Sequence, residues 1–241
     1  DMKVQIEEDI HIGGVTGLVE DKDGNLWIAG WTDMHVKRPD EDALIASGGD
    51  VPVMQFLISD VKGEVLGVSN ENKIYQLNCA GGRISCELKG TVSALLEGEG
   101  VNSVCMDRKG RLWFNTTLGR VLRSDETMNV FENVPLDDEI DDCTILGLLS
   151  DKNSVWIITN KKVLQYNIDS QAYQNYSTAD ENIMVDVFRY KAISLDGWGG
   201  LYVGGHRGFI HIRPEGAGPA NEVRPTLHIT DVKVEDRSIF F

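Results

Sequence analysis

One sixteen-residue pattern returns several times along this chain, and an internal repeat constrains the fold more than any single strand or helix signal. The run VTGLVEDKDGNLWIAG at residues 15–30 reappears as VNSVCMDRKGRLWFNT at 101–116. Asp21, Gly24, Leu26 and Trp27 are thereby matched by Asp107, Gly110, Leu112 and Trp113. A third copy, ILGLLSDKNSVWIIT, aligns Asp151 and Trp156. Two weaker copies, FLISDVKGEVLGVS and AISLDGWGGLYVGG, align Asp60, Gly63 and Leu66, then Asp196, Gly200 and Tyr202. The aromatic or leucine markers fall at 27, 66, 113, 156 and 202, spaced 39 to 47 residues apart. That spacing is one propeller blade per interval.

Within each copy an alternating apolar strand runs into a polar turn, and an aromatic-led, β-branched strand follows, which predicts a hairpin. A third strand is expected in KIYQL, KVLQY and FIHIR, and a fourth in MNVFEN and AYQNYS. The expected fold is therefore all-β: a β-propeller of four-stranded antiparallel blades, with five blades readable over residues 1–213. No sustained helical stripe competes with it. KVQIEE at residues 3–8 alternates as a strand and precedes the first repeat. It fits the outer strand of an upstream blade or a closing strand paired with residues 209–213. An incomplete arc would leave apolar surface exposed at residues 15–19 and on the fifth blade.

The D-x-x-G-x-L-W-I/F run after an alternating strand resembles the propeller repeats in sensor domains of bacterial two-component regulators, including the hybrid histidine kinases of gut Bacteroidetes. A Gly/Pro linker at 214–225 and the segment TLHITDVKVEDRSIF, within 226–241, resemble the passage from such a propeller into the immunoglobulin-like domain that follows it. The resemblance implies a propeller of seven blades and a periplasmic location, as the extracytoplasmic part of an inner-membrane protein. It also implies a homodimeric full-length receptor that recognises oligosaccharides or polysaccharide breakdown products and signals to a cytoplasmic histidine kinase. Kinase, receiver and DNA-binding modules lie outside this sequence.

Charge excludes some partners. Lys and Arg total 23 against 38 Asp and Glu, a net charge of -15, which repels nucleic acid and anionic membrane surfaces. No apolar run is long enough to span a bilayer, so membrane contact by this segment is not expected. The four cysteines, Cys79, Cys86, Cys105 and Cys143, form no CxxC pair and have no histidines at zinc-ligand spacing, so no metal or other cofactor is expected. Cys79 and Cys86 flank a Gly-Gly turn, where either a local disulfide or two separate thiols fit.

Propeller geometry says where a ligand would sit. The loops before the first strand and after the second strand of every blade share one face of the disc. Four residues beyond each marker stand Trp31, Asn70, Thr117, Asn160 and His206. A sugar-binding mouth needs such groups, because hydroxyls take paired donors and acceptors while an indole stacks on an apolar sugar face. Neighbouring His35, Arg120 and Arg207 would add charge-assisted bonds to acidic sugars. The same set also fits ordinary solvated loops. The turn at residues 21–25 departs from a calcium loop, since Gly24 precedes Asn25 and Trp31 stands where a closing Glu belongs. Trp27, Trp113, Trp156 and Tyr202 read as rings buried between blades, and Trp198, among three glycines, as an exposed exception. The expected module is non-catalytic: HExxH, GxSxG and GxxxxGK[ST] are absent. The alternatives are a protein-interaction scaffold, marked by an exposed apolar patch on the mouth, or a propeller hydrolase or lyase, marked by a ring of inward carboxylates.

Overall fold

A computed structural model describes residues 12–92, 96, 98–136, 143–177, 188–196, 199–206, 208–213, 232–234 and 237–239. The first blade is β1 (Val15–Glu20), β2 (Leu26–Gly30), β3 (Met34–Lys37) and β4 (Leu44–Ala46). The second is β5 (Met54–Ser59), β6 (Val65–Ser69), β7 (Lys73–Ala80) and β8 (Arg83–Thr91). The third is β9 (Val101–Met106), β10 (Leu112–Thr116), β11 (Val121–Ser124) and β12 (Phe131–Asn133). The fourth is β13 (Ile145–Ser150), β14 (Ser154–Thr159), β15 (Lys162–Asn167) and β16 (Tyr173–Ser177). Among the described residues the fifth holds three strands, β17 (Phe188–Leu195), β18 (Leu201–Gly205) and β19 (Gly208–Ile212). Every sheet is an antiparallel meander in chain order. The first strands β1, β5, β9, β13 and β17 neighbour one another in succession, which makes them the inner strands of a propeller.

The repeated Asp and Trp are joined by one hydrogen-bond device. In the first blade Asp21 Oδ1 accepts the backbone N–H groups of Asp23 and Asn25, both at 2.9 Å, and so closes the turn. Its Oδ2 accepts the indole N–H of Trp27 at 2.8 Å. Asp107 repeats this with Trp113 at 2.9 Å, and Asp151 with Trp156 at 2.7 Å. The spacing of the motif is thus the distance at which one carboxylate can hold a turn and a following indole together. In the second blade Leu66 takes the aromatic position, and Asp60 keeps only the turn. In the fifth, Asp196 Oδ2 meets His211 Nε2 at 2.9 Å, and His211 stacks on Tyr202 at 4.1 Å between centroids. Gly24, Gly63, Gly110 and Gly199 stand at positive φ in four of these turns, a conformation that costs glycine little.

Blade faces are apolar because each is covered by the next blade. Trp27, Ala29 and Val36 pack with Met54, Val65 and Leu77, while Leu66 and Val68 pack with Leu112 and Phe114. Trp113 joins Val155, Ile157 and Leu164, and Trp156 joins Leu201, Val203 and Ile212. The marker side chain therefore points at the following blade, and its strand neighbours point at the preceding one. Tyr202 departs from the expectation of a buried ring. It is 37% exposed, beside Phe209 at 66%, because among the described residues no further sheet packs on that face. On the first blade Val15 and Leu18 are likewise exposed. Gly90 of β8 marks a close approach between blades: a Cβ there would lie 2.1 Å from the carbonyl oxygen of Met128.

β20 (Val232–Val234) and β21 (Arg237–Ile239) form a separate antiparallel pair in the segment expected to open a second β domain. The expected strand at 3–8, the linker at 214–225, Trp198 and Arg207 lie outside the described residues. No helix among the described residues is long and apolar enough to cross a membrane.

Candidate functional site

The five residues chosen by their common offset occupy the same loop of five blades. Trp31, Asn70, Thr117, Asn160 and His206 each follow the second strand of their sheet. Four share a backbone bond to the residues that lead into the first strand. Trp31 N donates to Gly13 O at 2.9 Å, Asn70 N to Val53 O at 3.4 Å, Thr117 N to Gly100 O at 2.9 Å and Asn160 N to Thr144 O at 3.0 Å. These bonds extend each hairpin past its last ladder pair and set the loops on one end of the blades.

Side-chain roles within the set differ. Trp31 is 72% exposed. Its indole rests on Gly14, where a Cβ would come within 2.7 Å of the ring and where φ is +52°, so glycine is required twice over. One face of the indole is seated and the other meets solvent. Thr117 Oγ1 accepts the N–H of Gly100 at 3.2 Å, and Asn160 Oδ1 accepts the N–H of Thr144 at 3.0 Å. Both side chains brace their own blade, which leaves the Thr117 hydroxyl hydrogen and the Asn160 amide NH2 to face outward bonds. Asn70 and His206 are exposed. His35 lies in β3, paired with Ile28 and Ala46, its side chain 13% exposed and its Nε2 3.9 Å from Asp33 Oδ2. Arg120 belongs to the loop, with its Nη2 2.5 Å from Glu99 Oε1.

Glu99 is absent from the sequence-derived set, because its position before β9 carries no repeat signal. Its side chain is only 9% exposed, and the Thr116 hydroxyl and Arg120 hold its carboxyl below the usual range against the opposing effect of burial. Leu118, 76% exposed in the same loop, was also missed. Behind the loops Ser103 and Asn115 sit opposite each other on β9 and β10, where Ser103 Oγ and Asn115 Oδ1 are buried without a partner among the described residues. Asn115 is 0% exposed.

The opposite end of the blades is built for cohesion. Its acidic turns are saturated by their own N–H groups, and Lys22 N donates to Gly63 O at 2.8 Å across the first and second blades. Arg108 and Lys109 of the third blade both pair with Asp169 of the fourth. Among the described residues no group of three or more His, Cys, Asp or Glu converges to hold a metal ion. Cys79 and Cys86 are free thiols in diagonal positions, since Cys79 pairs with Ile84 and Leu77 with Cys86. Diagonal neighbours are roughly 7–8 Å apart, beyond the Cβ separation of about 3.5–4.5 Å that a disulfide needs.

Comparisons with known proteins agree with this architecture. A family described as two-component regulator propeller matches residues 11–32, which contain the first Asp turn, Trp27 and Trp31. No curated protein matches the chain. Among solved structures, two of the extracellular domain of BT4673 from B. thetaiotaomicron, described as a one-component and a hybrid two-component system, are 18% identical. Their TM-scores are 0.61 and 0.59, over 84% and 85% of this chain and 30% of theirs. PorZ, a surface component of the type-IX secretion system of Porphyromonas gingivalis, is 14% identical, with TM-score 0.61 over 88% of this chain and 34% of that one. Virginiamycin B lyase from Staphylococcus aureus, solved with quinupristin, is 12% identical, with TM-score 0.56 over 82% of this chain and 64% of that one. The chain thus spans about a third of the first three structures. At such identities the likeness establishes the fold, and the sequence match is to one repeat: residues 11–32 are similar to the two-component regulator propeller family.

Proposed function

We propose that this chain is a ligand-sensing propeller of an extracytoplasmic receptor, that the loop face carrying Trp31 is its sensing mouth, and that oligosaccharides are its ligands. The observation that carries the reading is the Trp31 indole, seated on Gly14 with its other face open, on the same end of the blades as donors from Thr117 and Asn160. A flat aromatic platform beside hydrogen-bond donors is what binds a pyranose ring: C–H groups stack on the ring and hydroxyl oxygens accept from the donors. The sensor reading rests on the repeat family and on the likeness to the BT4673 extracellular domain. On this reading the role is non-catalytic, and occupancy of the mouth is passed to a cytoplasmic histidine kinase in a dimeric full-length receptor.

Calorimetric titration of the complete ectodomain with neutral and acidic hexasaccharides, repeated on Trp31→Ala, tests the proposal. Saturable binding that weakens about tenfold or more on truncating the indole is expected from the loss of one stacking platform. Binding that ignores the substitution removes the mouth.

A second reading has its own observation. Leu118 and Trp31 are both large, apolar and more than 70% exposed on this face, as a peptide-binding surface would present. Binding unaffected by Leu118→Ser but lost in Trp31→Ala favours the sugar; equal losses of binding to a peptide library favour the peptide.

A further inference from the structure

The mouth holds one guanidinium in the third blade, and the protein has already paired it. Arg120 Nη2 lies 2.5 Å from Glu99 Oε1, and the Glu99 side chain is 9% exposed. Glu99 precedes Gly100, whose N–H and C=O are both bonded to Thr117, so the acid and the base are carried on two loops that are themselves tied together. Among the described residues Glu99 Oε2 is buried without a hydrogen-bond partner of its own. A carboxylate or sulfate approaching Arg120 would meet a cation already neutralised and a second oxygen of like charge behind it.

Two other basic side chains of the mouth also stand beside carboxylates. Lys73, closing the loop of the second blade, pairs with Glu71 at 2.5 Å. In the first blade His35 stands 3.9 Å from Asp33, whose Oδ1 is buried without a partner. Asn70, Thr117 and Asn160 are neutral, and the chain carries a net charge of -15. The sequence alone suggested that His35 and Arg120 would welcome acidic sugars; the pairings point the other way.

We infer that Glu99 is a specificity determinant of the mouth, cancelling Arg120 so that the site takes uncharged oligosaccharides and rejects carboxylated and sulfated ones. The inference rests on the sugar-binding reading above. It assigns Glu99 no contact with the ligand. Its effect comes from the charge state it imposes on Arg120.

The test uses the complete ectodomain, cellohexaose, xylohexaose and mannohexaose as neutral probes, and hexagalacturonate and a heparin hexasaccharide as anionic ones. A neutral probe should bind and both anionic probes should not. Glu99→Gln keeps the shape, removes the carboxylate charge that faces the guanidinium, and should raise heparin hexasaccharide affinity by about tenfold, the scale of one charge-assisted bond, with an effect that fades in salt. Arg120→Gln on the Glu99→Gln background should abolish that gain, a result that mere loosening of the loop would not give. Thermal unfolding of both variants shows that they fold. Tighter binding of an anionic than of a neutral probe by the unmodified protein overturns the inference while leaving the sugar reading intact. So does a Glu99→Gln protein that folds and gains no anion affinity. Failure of all five probes at the unmodified mouth, with no gain in the variant, ends both.

Discussion

Removing the Trp113 side chain tests the repeat where it is most completely built. Trp113 is 0% exposed, 5.0 Å from Tyr166 of the fourth blade between ring centroids, with the Arg123 guanidinium 5.3 Å above its ring. Its indole N–H donates to Asp107 Oδ2. Trp113→Ala empties a cavity between two blades and should cost about 3–5 kcal/mol, the range for large aromatic truncations. Orphaning Asp107 adds little, since Arg111 donates to the same oxygen at 2.8 Å. Trp113→Phe keeps a six-membered ring between the blades and leaves a smaller void, for about 1 kcal/mol. In a domain of this size the two variants should lower the thermal midpoint by about 10 °C and about 3 °C respectively. Circular dichroism melts at matched concentration read the effect. Unchanged melting of Trp113→Ala, or equal losses from the two variants, would refute the claim that the marker residue locks each blade to the next.

Other outcomes follow from the same contacts. Gly90→Ala should destabilise by about 1–3 kcal/mol, because its Cβ would overlap the Met128 carbonyl, whereas Gly49→Ala, with nothing within 4 Å, should not; urea midpoints compare them. Gly14→Ala should unseat Trp31 and reduce oligosaccharide affinity with a stability loss near 1 kcal/mol, measured by titration and melting. Acid should weaken the fold. At Asp21 burial opposes ionisation, but the bonds from Trp27, Asn25 and Asp23 outweigh it and the pKa falls; at Glu99 the Thr116 hydroxyl leads the lowering. A depressed folded pKa gives stability that is complete above the unfolded carboxylate range and lost as pH falls through the folded value, so melting points should hold from neutral pH down to about 5 and drop below about 4. Cys105, 8% exposed and with its thiol pKa pushed up by burial, should resist thiol reagents until unfolding, while Cys79 and Cys86 react in the native protein.

The sequence displayed what repeats and concealed what does not. Asp21, Asp107 and Asp151 with their tryptophans were legible because the same local geometry is needed in each blade, and identical needs leave identical residues. The link between them was not legible: turn and indole looked like separate signals until one carboxylate was seen serving both. The offset that selected Trp31, Asn70, Thr117 and Asn160 picked out equivalent loops, since backbone register repeats. It could not distinguish a side chain facing solvent from one bracing its blade, as Thr117 and Asn160 do. Glu99 and Leu118 escaped because loop chemistry varies from blade to blade. Tyr202 was expected to be buried by analogy with the tryptophans, yet exposure depends on what packs against it, which no motif encodes.

The central claim is that the end of the blades carrying Trp31 is the sensing surface, and hydrogen exchange of the complete ectodomain with and without a saturating hexasaccharide tests it most directly. Loops 31–33, 70–72, 117–120 and 160–161 should exchange more slowly when the ligand is bound, and turns 21–25, 60–64 and 107–111 at the opposite end should not change. Protection confined to those turns, or spread evenly over both ends, would contradict the account.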